Sequence, residues 1–322
     1  MAKKTAYEIV MEDRKNLVNK LIENMKKGYF ITRDKLKGEL LFPQNPVSDV
    51  YYKGGNRLRL MLVSLNQEYK DPRWMTFNQA KEKGWTIKKG EHGVLCEKWI
   101  FTKKEKVKDK ETGEEKIQEV DLAKPIVNYF VVFNGSQIEG IPPYEKTAEL
   151  SKSETIKLME NFIKTSKVPI KELAQDKAFY NVIKDEIVLP LRSAFKDDEA
   201  FMRTTLHEMC HSTGHPSRLN RDLMNTFGSE KYAREELVAE LGSIFTESSL
   251  GIHLDAEHFN DHSNYLKSWI GALQKDYNEL FRACANAEKA SDFLLTNYNE
   301  YVKEKNKIKI PKKEKTKEEL ER

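Results

Sequence analysis

Hydrophobic and polar residues follow two different periods along the first half of the chain. Apolar residues recur at helical intervals from Tyr7 to Lys27, and Gly28 is expected to end that helix. A second helix is predicted over residues 56–69, and Thr76 is the expected N-cap of a short helix with the sequence FNQAKEKG. The period then changes to two, which predicts strands at 85–87, 94–101 and 126–133.

Residues 103–119, between the last two predicted strands, are rich in lysine and glutamate. The turn signal Glu111-Thr112-Gly113 inside this stretch indicates a solvated hairpin excursion or a flexible loop, and its mixed charges assign it no ligand. Further on, the run GIPP, at residues 140–143, is followed by polar residues and predicts a linker. We therefore place a domain boundary near residues 145–152.

The second half of the chain is mostly helical in pattern. Residues 179–189 are an exception, because Asp185 marks a turn and Glu186–Leu189 has the composition of a strand, closed by Pro190. We expect this strand to offer an open edge to an extended peptide. Helices are predicted at residues 197–213, 230–249, 260–274 and 276–302.

These elements predict an α+β protein of two domains. A mixed α/β domain occupies residues 1–146, and a mostly helical domain with a small sheet occupies residues 152–302. Residues 303–322 contain too many charges and too few apolar side chains to pack, so we expect a basic, disordered tail.

The composition of the 322 residues argues against a membrane protein, since 33% are charged and no apolar stretch is long enough to span a bilayer. The first residues lack the apolar core of a secretory signal. The three cysteines, Cys96, Cys210 and Cys284, are odd in number and widely separated, which indicates buried thiols in a reducing compartment. We therefore expect a cytoplasmic location and no membrane partner.

Charge is distributed unevenly along the chain. Residues 1–146 carry 28 Lys+Arg against 21 Asp+Glu, a net charge of +7. Residues 147–302 carry 18 Lys+Arg against 25 Asp+Glu, a net charge of −7. Residues 303–322 carry 9 Lys+Arg against 5 Asp+Glu, a net charge of +4. A basic first half beside an acidic second half suggests different partners, with a polyanion possible for the first.

The sequence His207-Glu208-Met209-Cys210-His211 is an HExxH motif. On a helix, residues 207 and 211 project from one face, so two imidazoles can reach one metal ion, while Cys210 points away toward the core. Glu208 lies about 100° around the helix from His207, where it can act on a water without displacing either histidine. This spacing predicts a Zn²⁺ site at which Glu208 is the general base for amide hydrolysis.

A catalytic zinc keeps three protein ligands and one open position, so a third ligand is required. The run REELVAELG places Glu236 and Glu240 on one helix face, and small Ala239 and Gly242 allow a neighbouring helix to approach. Glu236 is the favoured third ligand. Glu240 is the expected acceptor for the outer N–H of a zinc-bound histidine, an arrangement that resembles the gluzincin pattern.

Other ligands remain open. Glu235 also fits the spacing, and His215 could reach the ion if the chain turns back. A metzincin motif would need histidine at position 217, where this chain has Ser217, so that class is disfavoured. His258 and His262 share the spacing of four residues but lack a glutamate between them and a nearby third ligand, which favours a solvated pair.

Aromatic and basic residues are interspersed through residues 51–101, as in grooves that hold single-stranded nucleic acid by phosphate contacts and base stacking. The same composition would also arise if the aromatics packed in a core beneath a solvated face of lysines. The residues that we select as DNA contacts are Tyr52, Lys53, Arg57, Arg73, Trp74, Lys88 and Lys89.

Several longer motifs resemble one known family, the ArdC-type antirestriction proteins. YKGGN, PRWMTFNQA, KKGEHG and VFN, which begin at residues 52, 72, 88 and 132, resemble the N-terminal domain of that family. HEMCHSTGHPSRLNR at 207–221 and YAREELVAELG at 232–242 are similar to its zinc-metallopeptidase domain. The resemblance extends in the same order to about residue 298.

The resemblance implies an N-terminal domain that binds single-stranded DNA and a zincin-like domain behind it. Such proteins are carried by conjugative elements or phages and protect incoming DNA from host restriction. The family's metal-site residues map onto His207, His211 and Glu208, whereas the third ligand maps less directly. Two alternatives stay open: a DNA-dependent protease that acts on DNA-bound proteins such as a host restriction component, and a non-catalytic coat protein with structural zinc.

Overall fold

The computed structural model describes residues 4–28, 30, 42–108, 115–145, 150–224, 229–252 and 263–309. Within them the chain is α+β, as predicted. The helices are α1 (Ala6–Lys26), α2 (Gly54–Asn66), α3 (Phe77–Glu82), α4 (Lys152–Ile163), α5 (Asp198–Ser212), α6 (Glu230–Ser249), α7 (Ser263–Lys275) and α8 (Asn278–Lys309). The strands are β1 (Gln44–Asn45), β2 (Val50–Tyr51), β3 (Trp74–Thr76), β4 (Thr86–Ile87), β5 (Val94–Lys108), β6 (Glu115–Asn134), β7 (Ile138–Glu139), β8 (Ile170–Leu173), β9 (Phe179–Asn181) and β10 (Glu186–Pro190).

Local capping chemistry sets several helix ends. Thr76 caps α3 as predicted, since its side chain accepts a hydrogen bond from the backbone N–H of Gln79 and the Gln79 side chain bonds back to Thr76. Thr5 caps α1 in the same way. Gly28 follows the last turn of α1 with a φ of 94°, a left-handed conformation that glycine adopts without a steric penalty. The predicted end of this helix is therefore confirmed.

The N-terminal sheet has three antiparallel strands in the order β3-β6-β5. Strands β5 and β6 form a long hairpin whose pairing continues from Val94 with Val132 to Lys108 with Glu115. The charged stretch at 103–119 is thus a hairpin excursion, one of the two predicted forms, and residues 109–114 lie outside the described residues. A separate pair, β4 with β7, lies beside this sheet's end.

The sheet of the second half has the order β8-β10-β9. Strand β10 pairs in parallel with β8 on one side and antiparallel with β9 on the other. The prediction that Glu186–Leu189 presents an open edge is therefore wrong, because both of its edges are hydrogen-bonded. The sequence analysis did not predict β8, whose four residues IKEL include two charged ones, and it did not assign residues 179–181 to a strand of their own.

The two predicted domains share one hydrophobic core. Buried residues of α1 and α2 pack in a single cluster with those of α6, α7 and α8, represented by Leu21, Leu58, Leu241, Trp269 and Leu280. Burial of this apolar surface fixes the N-terminal helices on the helices of the second half. The predicted boundary falls partly on residues 146–149, outside the described residues.

Helix α8 is longer than predicted, since it runs to Lys309. Residues 303–309 are therefore helical, which corrects the prediction of a tail beginning at 303. Lysine and glutamate favour helix, and Lys305 Nζ donates a hydrogen bond of 3.0 Å to Asn161 of α4. The rest of the predicted tail, 310–322, lies outside the described residues. No helix in the described part of the chain is long and apolar enough to cross a membrane.

Candidate metal centre and its surroundings

Helices α5 and α6 approach each other closely at small side chains. A Cβ on Gly242 would lie 3.1 Å from the Cys210 Sγ atom, so glycine leaves room for α5 at this position. Cys210 is fully buried, which confirms its prediction as a core residue, and Ala239 is also buried. The close packing brings the HExxH residues of α5 face to face with the glutamates of α6.

His207, His211 and Glu236 converge on one point. The two Nε2 atoms lie 3.1 Å apart. The Glu236 Oε2 atom is 3.4 Å from His207 Nε2, and Oε1 is 3.5 Å from His211 Nε2. One ligand atom from each residue lies within 4.8 Å of the others, and this is the group of possible metal-holding residues found in the described ranges.

The outer nitrogens of both histidines face other carboxylates. Glu240 Oε2 is 3.6 Å from His207 Nδ1, and Glu235 Oε1 is 3.2 Å from His211 Nδ1. Glu235 therefore lies on the outer side of His211, whereas Glu236 faces both inner nitrogens. The two candidates for the third ligand therefore occupy different positions. Glu236 lies beside the two Nε2 atoms, whereas Glu235 contacts only the outer nitrogen of His211.

Arg221 supports Glu235, and the sequence did not single it out. Its guanidinium donates to both carboxylate oxygens of Glu235, at 2.7 and 3.0 Å, and also to Thr213 Oγ1 and to the Cys210 carbonyl oxygen. A bidentate arginine fixes a carboxylate in orientation as well as in charge. In a single sequence, nothing distinguishes a buried arginine of this kind from an arginine on the surface.

The donor set fits a divalent cation. A histidine whose Nδ1–H donates to a carboxylate presents the lone pair of Nε2 on its other side. Two such nitrogens 3.1 Å apart, together with the Glu236 carboxylate, make an electron-rich cluster that needs positive charge between its members. Two histidines and one acid are also a usual ligand set of catalytic zinc.

The pKa values of the two histidines and of Glu236 are shifted by the negative charge of the surrounding carboxylates and by the histidines themselves. Although burial lowers the pKa of His211, the charge of Glu236 and the hydrogen bond with Glu235 raise it to about 9. Burial likewise opposes protonation of His207, but Glu236 and Glu240 hold its pKa well above the usual value. The two histidines in turn lower the pKa of Glu236 against the effect of burial.

Glu208 lies buried beside this cluster. Burial raises the pKa of its carboxyl group, while the charges of His211 and His207 and a hydrogen bond from the Tyr180 backbone lower it. Tyr180 belongs to β9, and its hydroxyl and the Arg218 guanidinium both bond to Asp185. Arg218 also donates to the Ser212 carbonyl oxygen at the end of α5, so β9 is tied to the helix that carries Glu208.

The remaining histidine candidates stand apart from the cluster. His215 Nδ1 contacts Ser217, with its ring nitrogen 2.7 Å from the hydroxyl oxygen, and it is not part of the group formed by His207, His211 and Glu236. The predicted pair His258 and His262 lies outside the described residues.

Two of the predicted DNA contacts are buried. Trp74 and Arg57 are both fully buried, Trp74 against Leu60, Cys96 and Val132 in the core of the sheet. The Arg57 guanidinium pairs with Glu288 and donates to the Phe245 carbonyl oxygen, and burial lowers its pKa to about 10. Because neither side chain can reach a strand of DNA from these positions, we do not retain them as DNA contacts.

The other predicted DNA contacts are at or near the surface but do not form one cluster. Lys88 and Lys89 are exposed, and Lys53 is exposed and paired with Asp292. Arg73 is paired with Asp71 at 2.7 Å. The Tyr52 hydroxyl donates to the Trp74 carbonyl oxygen. These residues lie next to different elements of the fold.

Two family models match the chain. Residues 11–133 match the N-terminal domain of anti-restriction factor ArdC, and residues 157–286 match a zincin-like metallopeptidase. Two crystal structures of the antirestriction ArdC protein from the R388 plasmid are similar over the whole fold. The metal-free structure has a TM-score of 0.70 at 29% identity and covers 89% of this chain and 98% of that one. The Mn(II)-bound structure has a TM-score of 0.68 at 27% identity and covers 88% and 97%.

Curated relatives are similar in sequence. Two Escherichia coli proteins named DNA primase TraC are 38% identical over 270 and 312 residues, which cover 81% and 94% of this chain. The chain spans only 25% and 20% of their lengths. A Sinorhizobium fredii protein, named uncharacterized protein y4eC, is 31% identical over 252 residues, which cover 78% of this chain and 80% of that protein.

Proposed function

Because the chain belongs to the ArdC-type antirestriction family, we propose that it binds single-stranded DNA with its N-terminal half and hydrolyses peptide bonds at a Zn²⁺ site in its C-terminal half. The observation that carries the proposal is the convergence of two histidine Nε2 atoms and one carboxylate beside the buried Glu208. The hydrolysis of peptide bonds by Zn²⁺ and the preference for single-stranded DNA are both part of the proposal.

His207, His211 and Glu236 would hold the metal, and Glu240 and Glu235 would orient the two imidazoles through their outer nitrogens. A bound Zn²⁺ lowers the pKa of water and polarises a scissile carbonyl group. The Mn(II)-bound relative supports a divalent cation in this family, and the nitrogen-rich ligand set favours Zn²⁺ within that class.

Glu208 would act as the proton carrier. Its buried carboxyl group has a raised pKa, which suits a base that takes a proton from water and returns it to the leaving amine. The backbone N–H of Tyr180 would hold the carboxylate in place between these two transfers. Since Tyr180 lies in β9, an edge strand of the small sheet, β9 replaces β10 as the proposed strand along which an extended protein substrate, such as a host restriction component, would lie.

Three observations support a nucleic acid partner for the first half. The match to the ArdC N-terminal domain covers most of it, its net charge is 28 minus 21, or +7, and exposed lysines such as Lys88 and Lys89 lie on its surface. Cationic side chains bind phosphates by releasing counterions, so the affinity for DNA should fall steeply as salt concentration rises.

The test compares the wild type with His207→Ala in metal content and in affinity for single-stranded DNA. We expect the wild type to bind about one equivalent of Zn²⁺, because three ligands complete one catalytic site. His207→Ala should lose the metal and keep the affinity for DNA. A wild-type protein without bound metal, or without measurable affinity for single-stranded DNA, would contradict the corresponding half of the proposal.

A second experiment separates the proposal from a non-catalytic coat protein. Transfer of a plasmid into a restricting host is measured with wild type and with Glu208→Gln, which keeps the metal ligands. Loss of protection in the variant supports a catalytic role in antirestriction. Unchanged protection supports a coat protein in which the metal is structural, and DNA-stimulated cleavage of a bound protein would support the DNA-dependent protease.

A further inference from the structure

One strip on the N-terminal sheet remains open to solvent. Alternate residues of a strand point to one face, so Tyr129 and Val131 of β6 share a face with Leu95 of β5, which pairs with Val131. Tyr129 and Val131 are 41% and 39% exposed, although both lie in the interior of the longest strand. We refer to Leu95, Tyr129 and Val131 as the open strip.

The same face is covered on both sides of the open strip. Toward the end of β6, Phe133 packs with Met75, Ala80 and Ile138, so that α3 and β7 cover this end. In the opposite direction, Val127 is buried and pairs with Trp99, over whose ring Arg14 of α1 lies at 5.1 Å. The open strip is therefore the floor of a groove between α1 and α3.

An exposed aromatic side chain borders the groove at α3. Phe77 is the first residue of α3 and directly follows Thr76, whose partner Val132 is the neighbour of Val131 in β6, so α3 begins at the edge of the open strip. It is 54% exposed. Gly93 directly precedes β5 and leaves Val131 uncovered, since a Cβ at this position would lie 2.3 Å from Val131 Cγ1. Two accessible rings therefore border the groove, Tyr129 of β6 and Phe77 at the start of α3.

The charges around the open strip favour an anionic occupant. Glu97, which pairs with Tyr129, is buried and bonded to Arg14 and to Arg59, so its negative charge is compensated. Lys81 lies one helical turn after Phe77 on the same face of α3 and is exposed. Residues 77–93, the segment that includes α3 at one side of the groove, carry four lysines against two glutamates, a net charge of +2 along the sequence.

We propose that the open strip and Phe77 form a stacking platform for the bases of single-stranded DNA, with Lys81 placed to contact its backbone. Unpaired bases stack on accessible aromatic rings, whereas the bases of a duplex are already stacked on one another. An extended strand can follow the groove between α1 and α3 with its phosphates toward the lysines. This inference rests on the proposed function and assigns to DNA three residues, Phe77, Tyr129 and Lys81, that the sequence patterns did not select.

The experiment measures the anisotropy of a short, fluorescently labelled oligo(dT) titrated with the full chain. We expect Tyr129→Ala and Phe77→Ala each to weaken binding by about fivefold to tenfold or more, because each removes one stacked base. Tyr129→Phe should bind within about twofold of wild type, because the ring is retained. The unlabelled duplex of the same length should compete less well than the single strand.

Phe101→Ala is the matched control. Phe101 is 59% exposed on the same hairpin, but it lies six residues from Leu95, about 20 Å along the strand, and outside the groove. Its replacement should leave the affinity unchanged. Lys81→Ala should reduce the slope of log affinity against log salt by about 0.7, the value for one phosphate contact on a single strand.

The outcomes distinguish this inference from the function on which it rests. If the wild type does not bind oligo(dT), the proposed DNA binding fails. If the wild type binds and both alanine variants bind equally well, the platform is overturned while DNA binding stands. Variants that keep their affinity for DNA but lose protection in the transfer assay would also overturn it, because the groove would then serve a protein partner.

Discussion

The metal centre and the N-terminal sheet differ in how their functional side chains are supplied. At the metal centre, two helices that pack along their small residues provide every converging group, within one turn of α5 and one turn of α6. On the sheet, the exposed aromatic and basic side chains come from β6, α3 and the loops between strands. The first site needs only two short stretches of sequence, one on each helix, whereas the second depends on which parts of a sheet other elements cover.

This difference determines how well the position of a functional side chain can be predicted from the sequence of a helix or of a strand. Residues four apart on a helix share a face whatever surrounds them, so the spacing of His207 and His211 already determines their convergence. A strand residue has two faces available and either can be covered by distant helices. Trp74 and Tyr129 are both aromatic residues of the same sheet, yet Trp74 is buried and Tyr129 is 41% exposed.

The largest expected effect tests the local site. Glu208→Gln removes the proposed proton carrier and should reduce the rate of peptide hydrolysis by about 100- to 10,000-fold, the range for loss of general acid–base catalysis. Metal content and affinity for single-stranded DNA should remain those of the wild type, because Glu208 is neither among the converging ligands nor on the sheet. A variant that hydrolyses peptides at the wild-type rate would contradict the role assigned to Glu208.

The next effect concerns the contact between the N-terminal and C-terminal halves of the chain. Arg57 of α2 is buried with Glu288 of α8 and donates to the carbonyl oxygen of Phe245 in α6, so Arg57→Ala leaves a buried carboxylate and a carbonyl oxygen without this partner. Loss of one partner from a buried ion pair costs about 3–5 kcal/mol. Urea denaturation should show this loss, and Arg57→Lys provides a second variant if alanine prevents folding.

Lys53→Ala is the control for Arg57. Lys53 also links the two halves of the chain, through Asp292, but both side chains are more than half exposed. Its removal should change the free energy of unfolding by less than about 1 kcal/mol. If Arg57→Ala instead weakened DNA binding without a loss of stability, Arg57 would act at the surface, and the contrast drawn from burial would fail.

The sequence predicted seven of the eight described helices and the shared face of His207 and His211 from local rules, but it missed α4. The approach of α6 was inferred from the small side chains of Ala239 and Gly242. Thr76 and Gly28 act at the helix ends as expected, and Gly242 faces Cys210. It could not predict the shared core or the burial of Arg57, which depend on contacts between residues far apart in the chain. The open edge assigned to Glu186–Leu189 was wrong for the same reason, since strand order is a long-range property.

A smaller effect distinguishes Glu235 from Glu236. Glu235→Gln keeps a side chain that can still accept from His211 Nδ1 but removes the charge held by Arg221, so the affinity for Zn²⁺ should fall by about 10- to 100-fold. Glu236→Gln removes a proposed ligand and should weaken binding further. Metal titration by isothermal calorimetry compares the two. An equal or larger loss in Glu235→Gln would reverse the two roles.

The smallest expected effect tests whether the DNA surface extends beyond the groove. Lys88 and Lys89 are exposed, and the Lys88 Nζ atom also donates to the Ser136 carbonyl oxygen, so neither supports the core. The double substitution by alanine should reduce the salt slope of single-stranded DNA binding by up to about 1.4, or twice the value for one phosphate. Each residue contributes only part of a distributed charge, and hence the affinity at low salt should fall by a smaller factor than in Tyr129→Ala. A loss larger than that from Tyr129→Ala would show that one localised cluster dominates DNA binding, which would make this surface resemble the metal centre after all.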